Sequence, residues 1–97
     1  MLEQAGASAI LLECVPAGLG RTLAREVAVP VIGIGAGPGA DGQILVWHDL
    51  LGLYPGRPAK FVKNFLAGSP DGIQGALRAY VQAVRDGSFP SLAHSYT

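Results

Sequence analysis

The chain has 97 residues, of which 49% are hydrophobic and 14% are charged, and seven basic residues balance seven acidic ones. Average globular domains carry about 25% charged residues, so part of this surface is predicted to pack against other chains or against more of the same core. No run of lysine and arginine is present to neutralise phosphates, which argues against a nucleic-acid surface. Glycine, proline or charge interrupts each apolar stretch before the roughly 20 residues of a membrane span. These features indicate a globular protein with no nucleic-acid and no membrane partner.

The N-terminal residues and the cysteine content bear on the compartment. The first residues lack the basic and then apolar segments of a secretion signal. The single cysteine, Cys14, cannot form an internal disulfide, which fits a reducing environment. We therefore expect a cytoplasmic protein. Residues 3–7 are typical of the last turn of a helix that leads directly into a strand.

The first half of the chain alternates between strand and helix patterns. Two apolar runs, residues 9–14 and 31–35, predict strands buried on both faces, as in a parallel sheet. Between them Leu19, Leu23 and Val27 recur at helical spacing, and proline ends that predicted helix. Residues 43–47 are a third candidate strand, although the preceding aspartate could equally cap a short helix. This alternation predicts an α/β fold with a parallel sheet.

The second half predicts two helices and an irregular end. Apolar pairs at i,i+4 predict a helix over residues 58–66. Ser69-Pro70-Asp71 predicts the start of the next helix, with serine as the N-cap and proline at the first helical position. Gly87 is predicted to end it, and residues 88–97 form a tail without periodicity. The apolar stripe of this last helix is predicted to contain Ile73, Leu77, Tyr80 or Val81, and Val84.

Glu13 is the strongest candidate for a chemical role. It ends the first apolar run, and the carboxyl ends of parallel strands are where α/β proteins place their catalytic groups. An apolar neighbourhood would favour the protonated carboxyl, and hence a carboxylate basic enough to act as a general base. The alternative is structural: the carboxylate could cap the following helix or pair with Arg21.

The glycine-rich segment 35–42 is a weaker candidate for binding. Gly35 and Gly37 allow a close approach of the backbone to a phosphate or to the edge of a flat ring. No lysine and hydroxyl residue follow as in a Walker loop, and Pro38 and Asp41 interrupt the helix that a dinucleotide fingerprint requires. A tight turn from strand to loop explains these glycines equally well.

The remaining polar residues favour structural roles. His48 and Asp49 would face opposite ways in a strand, so they cannot form a dyad unless the strand has ended, and His94 lies in the aperiodic tail. Cys14 is predicted to be a packed thiol rather than a nucleophile. The lysines at 60 and 63 are predicted to lie on a solvated helix face. No group of His, Cys, Asp and Glu has the spacing of a metal site, so no metal ligand is predicted in this chain.

Three motifs in register carry a family resemblance. These are Leu11-Leu12-Glu13-Cys14-Val15-Pro16, then Pro30-Val31-Ile32-Gly33-Ile34-Gly35-Ala36-Gly37, then Asp41-Gly42-Gln43-Ile44-Leu45-Val46-Trp47-His48-Asp49. Together with Lys60-Phe61-Val62-Lys63-Asn64-Phe65 and the ending Phe89-Pro90 and His94-Ser95-Tyr96, they resemble ketopantoate hydroxymethyltransferase, also called 3-methyl-2-oxobutanoate hydroxymethyltransferase. The resemblance spans nearly the whole chain, in the family's order and spacing.

The resemblance implies a (β/α)8 TIM barrel, of which residues 1–97 would be the C-terminal part, about strands six to eight plus the closing helices. It implies a transferase of pantothenate (coenzyme A) biosynthesis that moves a hydroxymethyl group from 5,10-methylenetetrahydrofolate to 3-methyl-2-oxobutanoate, giving 2-dehydropantoate. Glu13 falls on the family's Glu-x-Val-Pro motif, whose glutamate is the proton acceptor. The family also uses Mg²⁺ and forms large homo-oligomers. Its magnesium-binding carboxylates belong to earlier strands that have no counterpart here.

Two other interpretations remain open at this point. A fragment of such a barrel could be a non-catalytic piece that only takes part in assembly. Alternatively, the glycine-rich segment could belong to an α/β module that binds phosphate or a nucleotide, a reading that leaves Glu13 without a role.

Overall fold

The protein is an α/β unit built on one parallel sheet. A computed structural model describes residues 1–97, and the three strands are adjacent in chain order, β1–β2–β3. The α/β class and the parallel sheet are therefore confirmed. None of the helices has both the length and the apolar character needed to cross a membrane. The elements are β1 Ile10–Glu13, α1 Ala17–Glu26, β2 Val31–Ile34, β3 Gly42–Gln43, α2 Trp47–Leu50 and α3 Gly72–Asp86, followed by a 3₁₀ turn at Leu92–His94.

The first turn of the chain has the hydrogen bonds of a helix C-terminus. Gly6 has φ +104°, and the N–H groups of Gly6 and Ala7 donate to carbonyls three and five residues earlier, at 3.1 and 3.0 Å. This pair of bonds around a left-handed glycine is the Schellman motif. The carboxylate of Glu3 accepts hydrogen bonds from the N–H groups of Ala28 and Val29, at 2.6 and 3.2 Å. The turn is thereby joined to the connection between α1 and β2.

Strand β1 is covered on only one face. Ile10 and Leu12 line a cleft together with Leu23 of α1 and Val27, the C-cap of that helix, whereas Leu11 points the other way and is 57% exposed. The prediction that this strand is buried on both faces is wrong, because no segment of the described chain covers the side of Leu11. Strand β2 beside it is mostly buried, as predicted.

The third strand is shorter than predicted. Only Gly42–Gln43 pair with β2, and the chain enters the short helix α2 at Trp47. Asp41 does not cap that helix. Its N–H donates to the carbonyl of Val31 at 2.8 Å, and its carboxylate accepts from the N–H of Val31 at the same distance. The aspartate thus locks β3 to the start of β2.

The predicted helix over residues 58–66 is wrong. The segment consists of turns, and the Asn64 side-chain oxygen accepts from the N–H groups of Leu66 and Ala67. The two phenylalanines whose i,i+4 spacing suggested a helix have different partners. The ring of Phe61 lies against Gly35, whereas Phe65 is buried in a separate core. Tertiary contacts therefore override the local pattern.

That separate core is aromatic. Phe65 makes edge-on contacts with Tyr80 and Phe89, with ring centroids 5.4 and 5.3 Å apart. The hydroxyl of Tyr80 is buried without a hydrogen-bond partner, and desolvation raises the pKa of Tyr80. The buried members of this core are Leu50, Leu51, Phe65, Ala76, Ala83 and Phe89.

Helix α3 starts later than predicted and divides its apolar residues between two faces. Asp71 rather than Ser69 is its N-cap, and Gly87 ends it in the left-handed conformation, as predicted. Tyr80 and Val84 pack on the aromatic core. The rest of the predicted stripe is exposed, because small alanines provide the buried contacts of this helix. The exposed residues are Ile73, Leu77 and Val81.

Two glycines in α1 have opposite surroundings and give a matched prediction. A Cβ at Gly20 would lie 2.5 Å from the carbonyl oxygen of Ala36, whereas a Cβ at Gly18 would meet nothing within 4 Å. Gly18→Ala should therefore stabilise the fold by about 0.5–1 kcal/mol, because alanine loses less backbone entropy than glycine in a helix. Gly20→Ala should destabilise it by about 1–3 kcal/mol through overpacking. Urea unfolding of the two variants tests this, and equal midpoints would contradict it.

Candidate active site

Glu13 is the last residue of β1, and it lies opposite Ile34 of β2 in the sheet register. Its side chain is exposed, so these 97 residues do not provide the apolar surroundings predicted for it. Neither structural alternative is adopted. Helix α1 has Pro16 as its N-cap with no side-chain cap, and the only ion pair in the structure joins Arg78 to Asp71 at 3.3 Å. The carboxylate thus has no ion pair and no capping role within this chain.

The residue after Glu13 has an unusual backbone. Cys14 has φ +53°, the left-handed region that non-glycine residues rarely adopt. Its N–H donates to the carbonyl of Ile34 at 2.9 Å, which extends the β1–β2 pairing by one residue. The thiol is exposed, so the prediction of a packed thiol is wrong. The prediction assumed that the strand continues through Cys14, with its side chain facing the side opposite Glu13. The left-handed conformation of Cys14 ends the strand, so the thiol does not lie on that face.

Packing against α1 and against the segment after α2 accounts for the glycine-rich segment. A Cβ at Gly35 would lie 3.0 Å from the ring of Phe61, and one at Gly37 would overlap Ala17. Both glycines have positive φ, and the Gly37 carbonyl accepts from the Gln43 side chain at 2.9 Å. In this structure the candidate binding glycines face protein atoms rather than an open cradle. The tight turn, which was the structural alternative, agrees with this geometry.

Three distant parts of the chain meet at the carboxyl edge of the sheet. Phe61 lies over Gly35, and the Cys14 sulfur lies 3.4 Å from the position of a Cβ on the same glycine. The ammonium of Lys60 lies 5.5 Å from the centre of the Tyr96 ring. Tyr96 in turn forms a β-bridge with Pro16, three residues after Glu13. The edge that carries Glu13 is therefore bordered by an aromatic and cationic segment and by the tail.

The sequence patterns missed both of these neighbours. The i,i+4 pattern predicts a helix around Phe61, and Tyr96 lies in the tail without periodicity. Lys60 and Lys63 are exposed, as predicted, but they lie on no helix, and their ammonium groups lie over the rings of Tyr96 and Phe65. Phe65 is close to Lys63 in the sequence and was an available signal for that pair, since Lys–aromatic contacts of this kind are attractive. Tyr96 is far from Lys60 in the sequence, so no local signal pointed to their contact.

The two histidines contact aromatic residues, and the strand argument that separated His48 from Asp49 does not apply, because both lie in α2. The strand has ended before His48, whose ring stacks on Trp47 with centroids 4.0 Å apart. His94 lies beside Phe89, and its Nδ1 is 2.8 Å from the hydroxyl of Ser91. Burial, and secondarily the charge of Lys63, lowers the pKa of His94. Neither ring is placed to act with Glu13.

The residues present do not fit a magnesium site. No group of three or more His, Cys, Asp or Glu side chains is close enough to hold a metal ion. Mg²⁺ is held through oxygen ligands in near-octahedral geometry, commonly from more than one carboxylate. At the carboxyl edge of the sheet, Glu13 does not belong to any such group of ligands.

The similarity to known proteins covers nearly the whole chain. Residues 1–92 match the family described as ketopantoate hydroxymethyltransferase. This chain belongs to that family. The 3-methyl-2-oxobutanoate hydroxymethyltransferase 2 of Hahella chejuensis is 60% identical over 95 residues, which are 98% of this chain and 36% of the relative. The enzyme of Alkalilimnicola ehrlichii is 61% identical over 95 residues, 98% of this chain and 34% of the relative.

A third relative gives the same coverage. The 3-methyl-2-oxobutanoate hydroxymethyltransferase 2 of Pseudomonas entomophila is 59% identical over 97 residues, 99% of this chain and 36% of the relative. The chain thus spans about a third of the length of the curated ketopantoate hydroxymethyltransferases that it matches. Membership of the family removes the main support for a phosphate-binding module, which explained the glycine-rich segment alone.

Proposed function

We propose that this chain provides the general base of a ketopantoate hydroxymethyltransferase. The reaction transfers a hydroxymethyl group from 5,10-methylenetetrahydrofolate to 3-methyl-2-oxobutanoate and gives 2-dehydropantoate, a step of pantothenate synthesis. The observation that carries the proposal is the unpaired carboxylate of Glu13 at the carboxyl end of a parallel strand, in a chain of this family. A base must reach its proton, and this carboxylate is blocked by no ion pair and no cap.

Glu13 acts on the C3–H bond of the 2-oxo acid. Its carboxylate oxygen takes the C3 proton, and the electron pair of that bond forms the enolate. The enolate carbon then bonds to the methylene carbon of the folate, both C–N bonds of that methylene break, and a water oxygen becomes the hydroxyl of the product. Tetrahydrofolate leaves, and its two nitrogens take up the abstracted C3 proton and one proton of the water. Mg²⁺, which the family resemblance implies, does not fit the donors of these 97 residues. We propose that the ligands of Mg²⁺ lie outside these 97 residues.

We further propose that the sheet is part of a (β/α)8 barrel. The exposed side of Leu11 and Glu13 supports this, because strands of a closed barrel have that side covered by the other strands. The share of the relatives that this chain spans is compatible with about three of eight strand–helix units. Glu13 would then lie at the carboxyl-terminal face, where barrel enzymes carry their active sites.

The low charge and the exposed apolar residues of α3 support a homo-oligomer, and the single cysteine is compatible with the reducing cytoplasm as its compartment. Leu77 and Val81 are each 45% exposed, and such residues on one helix face favour contact with another surface. Analytical ultracentrifugation of the protein at several concentrations measures its mass and tests this part of the proposal. A single concentration-independent species of monomer mass would contradict it.

The activity is best tested in a full-length chimera. These 97 residues replace the matched segment of the Hahella chejuensis relative, to which they are 60% identical. With 3-methyl-2-oxobutanoate and Mg²⁺ in deuterated water, we expect loss of the C3 proton signal in NMR at least about 100-fold above a blank without protein. With methylenetetrahydrofolate added, 2-dehydropantoate should accumulate. A folded chimera that performs neither reaction would contradict the proposal and favour the non-catalytic assembly piece.

A further inference from the structure

We propose that Tyr96 is a positioning residue for Glu13. The tail residue Tyr96 holds the turn by which the chain passes from Glu13 into α1, and so helps to fix the backbone from which the Glu13 side chain projects. The inference rests on the proposed function of Glu13 as the base. It adds a role for the tail that neither the family match nor the motif around Glu13 assigns.

The tail makes backbone contact just after Glu13. Pro16 and Tyr96 form an isolated parallel bridge, and the N–H of Ala17 donates to the carbonyl of Tyr96 at 2.8 Å. The first N–H groups of a helix need acceptors from outside the helix. Pro16 has no side chain that can cap α1, and the first turn has no acidic residue. The tail therefore supplies an acceptor that the local sequence lacks.

Tyr96 is itself held from two directions. The preceding Ser95 is only 3% exposed, and its hydroxyl donates to the carbonyl of Ser91 at 2.7 Å. On the other side the Lys60 ammonium lies 5.5 Å from the centre of the Tyr96 ring, within the range of a cation–π interaction. Because Lys60 is adjacent to Phe61, which packs on Gly35, the ring ties the tail to the same edge of the sheet.

The link from this anchor to Glu13 is short. Only Cys14 and Val15 separate Glu13 from Pro16, and the N–H of Cys14 is bound to the carbonyl of Ile34. The carboxylate of Glu13 makes no ion pair, and no residue of this chain donates a hydrogen bond to it. The reach of the carboxylate therefore starts from the Cα–Cβ bond of Glu13, whose direction is set by the backbone, and that backbone is held by the sheet before Glu13 and by Tyr96 after it.

The test uses the full-length chimera and the rate of C3 proton exchange. Tyr96→Ala keeps the backbone carbonyl but removes the ring, and should lower kcat by about tenfold with an unchanged KM for the 2-oxo acid. Truncation of the chimera before Tyr96 also removes the carbonyl and should lower kcat by about 100-fold. Tyr96→Phe keeps both contacts and should stay within about twofold of the parent. Leu92→Ala, at an 89% exposed side chain of the same tail, is the matched control and should have no effect.

A lower kcat with an unchanged KM distinguishes a loss of positioning from a general loss of folded protein. Each variant is compared at equal folded concentration and with its melting temperature. If the truncated variant does not fold, the kcat of Tyr96→Ala is the measurement that tests the inference. An unchanged kcat in Tyr96→Ala, a loss that follows the folded fraction, or an equal loss in Tyr96→Phe would each overturn the inference. Glu13→Gln is measured alongside: exchange that survives it contradicts the proposed function, whereas exchange that needs Glu13 but ignores the tail contradicts this inference alone.

Discussion

Glu13→Gln in the full-length chimera is expected to lower the rate of C3 proton exchange by about two to four orders of magnitude, the usual contribution of a general base. Glutamine has nearly the same shape as glutamate, but its amide does not accept a proton near neutral pH. The Glu13 side chain is exposed and makes no ion pair, so the substitution breaks no described contact. The loss should therefore appear in kcat, with the melting temperature unchanged.

Two variants control this experiment. Glu13→Asp keeps a carboxylate but withdraws it by one methylene, so part of the activity should remain. Glu26→Gln removes an exposed carboxylate at the end of α1 and should leave exchange unaffected. The assignment fails if Glu13→Gln exchanges the proton as fast as Glu26→Gln does. Activity that falls equally in both variants would point to the charge of the chain rather than to a base.

Phe65→Ala is expected to cost about 3–5 kcal/mol of the free energy of unfolding. Phe65 is 7% exposed and makes edge-on contacts with both Tyr80 and Phe89, so its removal leaves a cavity and deletes two aromatic pairs. Its N–H also donates to the carbonyl of Leu50 at 2.8 Å, which joins the irregular segment to α2. A small domain is stable by only about 5–15 kcal/mol, so the loss is a large share.

Urea unfolding of the chain, followed by far-UV circular dichroism, measures this effect. Leu92→Ala is the control, because that leucine is 89% exposed and its truncation should change the free energy of unfolding by less than about 0.5 kcal/mol. A cost below about 1 kcal/mol for Phe65→Ala would mean that the aromatic core does not hold the second half of the chain together.

Local patterns predicted those elements that depend on local contacts. Strand β2 follows from an apolar run, and the end of α3 follows from Gly87, whose left-handed conformation needs no distant partner. The helix over residues 58–66 failed because Phe61 and Phe65 pack on different parts of the molecule, and no i,i+4 pattern contains that information. The one-sided burial of β1 was missed for a related reason, since apolar residues do not reveal whether anything covers them.

The candidate site divides in the same way. Glu13 could be placed at the carboxyl edge of the sheet, because its position at the end of an apolar run is a property of the sequence alone. Phe61 and Tyr96 could not, because they reach the carboxyl edge of the sheet through contacts with residues far away in the chain. The glycine-rich segment suggested a ligand, whereas Gly37 makes room for Ala17 of α1.

The bridge between Pro16 and Tyr96 also has a consequence for the order in which the protein matures. Nearly the whole chain lies between the two residues, so this contact closes a very long loop and its entropy cost is met only once the intervening elements have packed. During synthesis the sheet can form while the tail has yet to be made. The turn after Glu13 acquires its second anchor only when the tail residues arrive, so we expect a nascent chain to gain its folded sheet before it gains an oriented base.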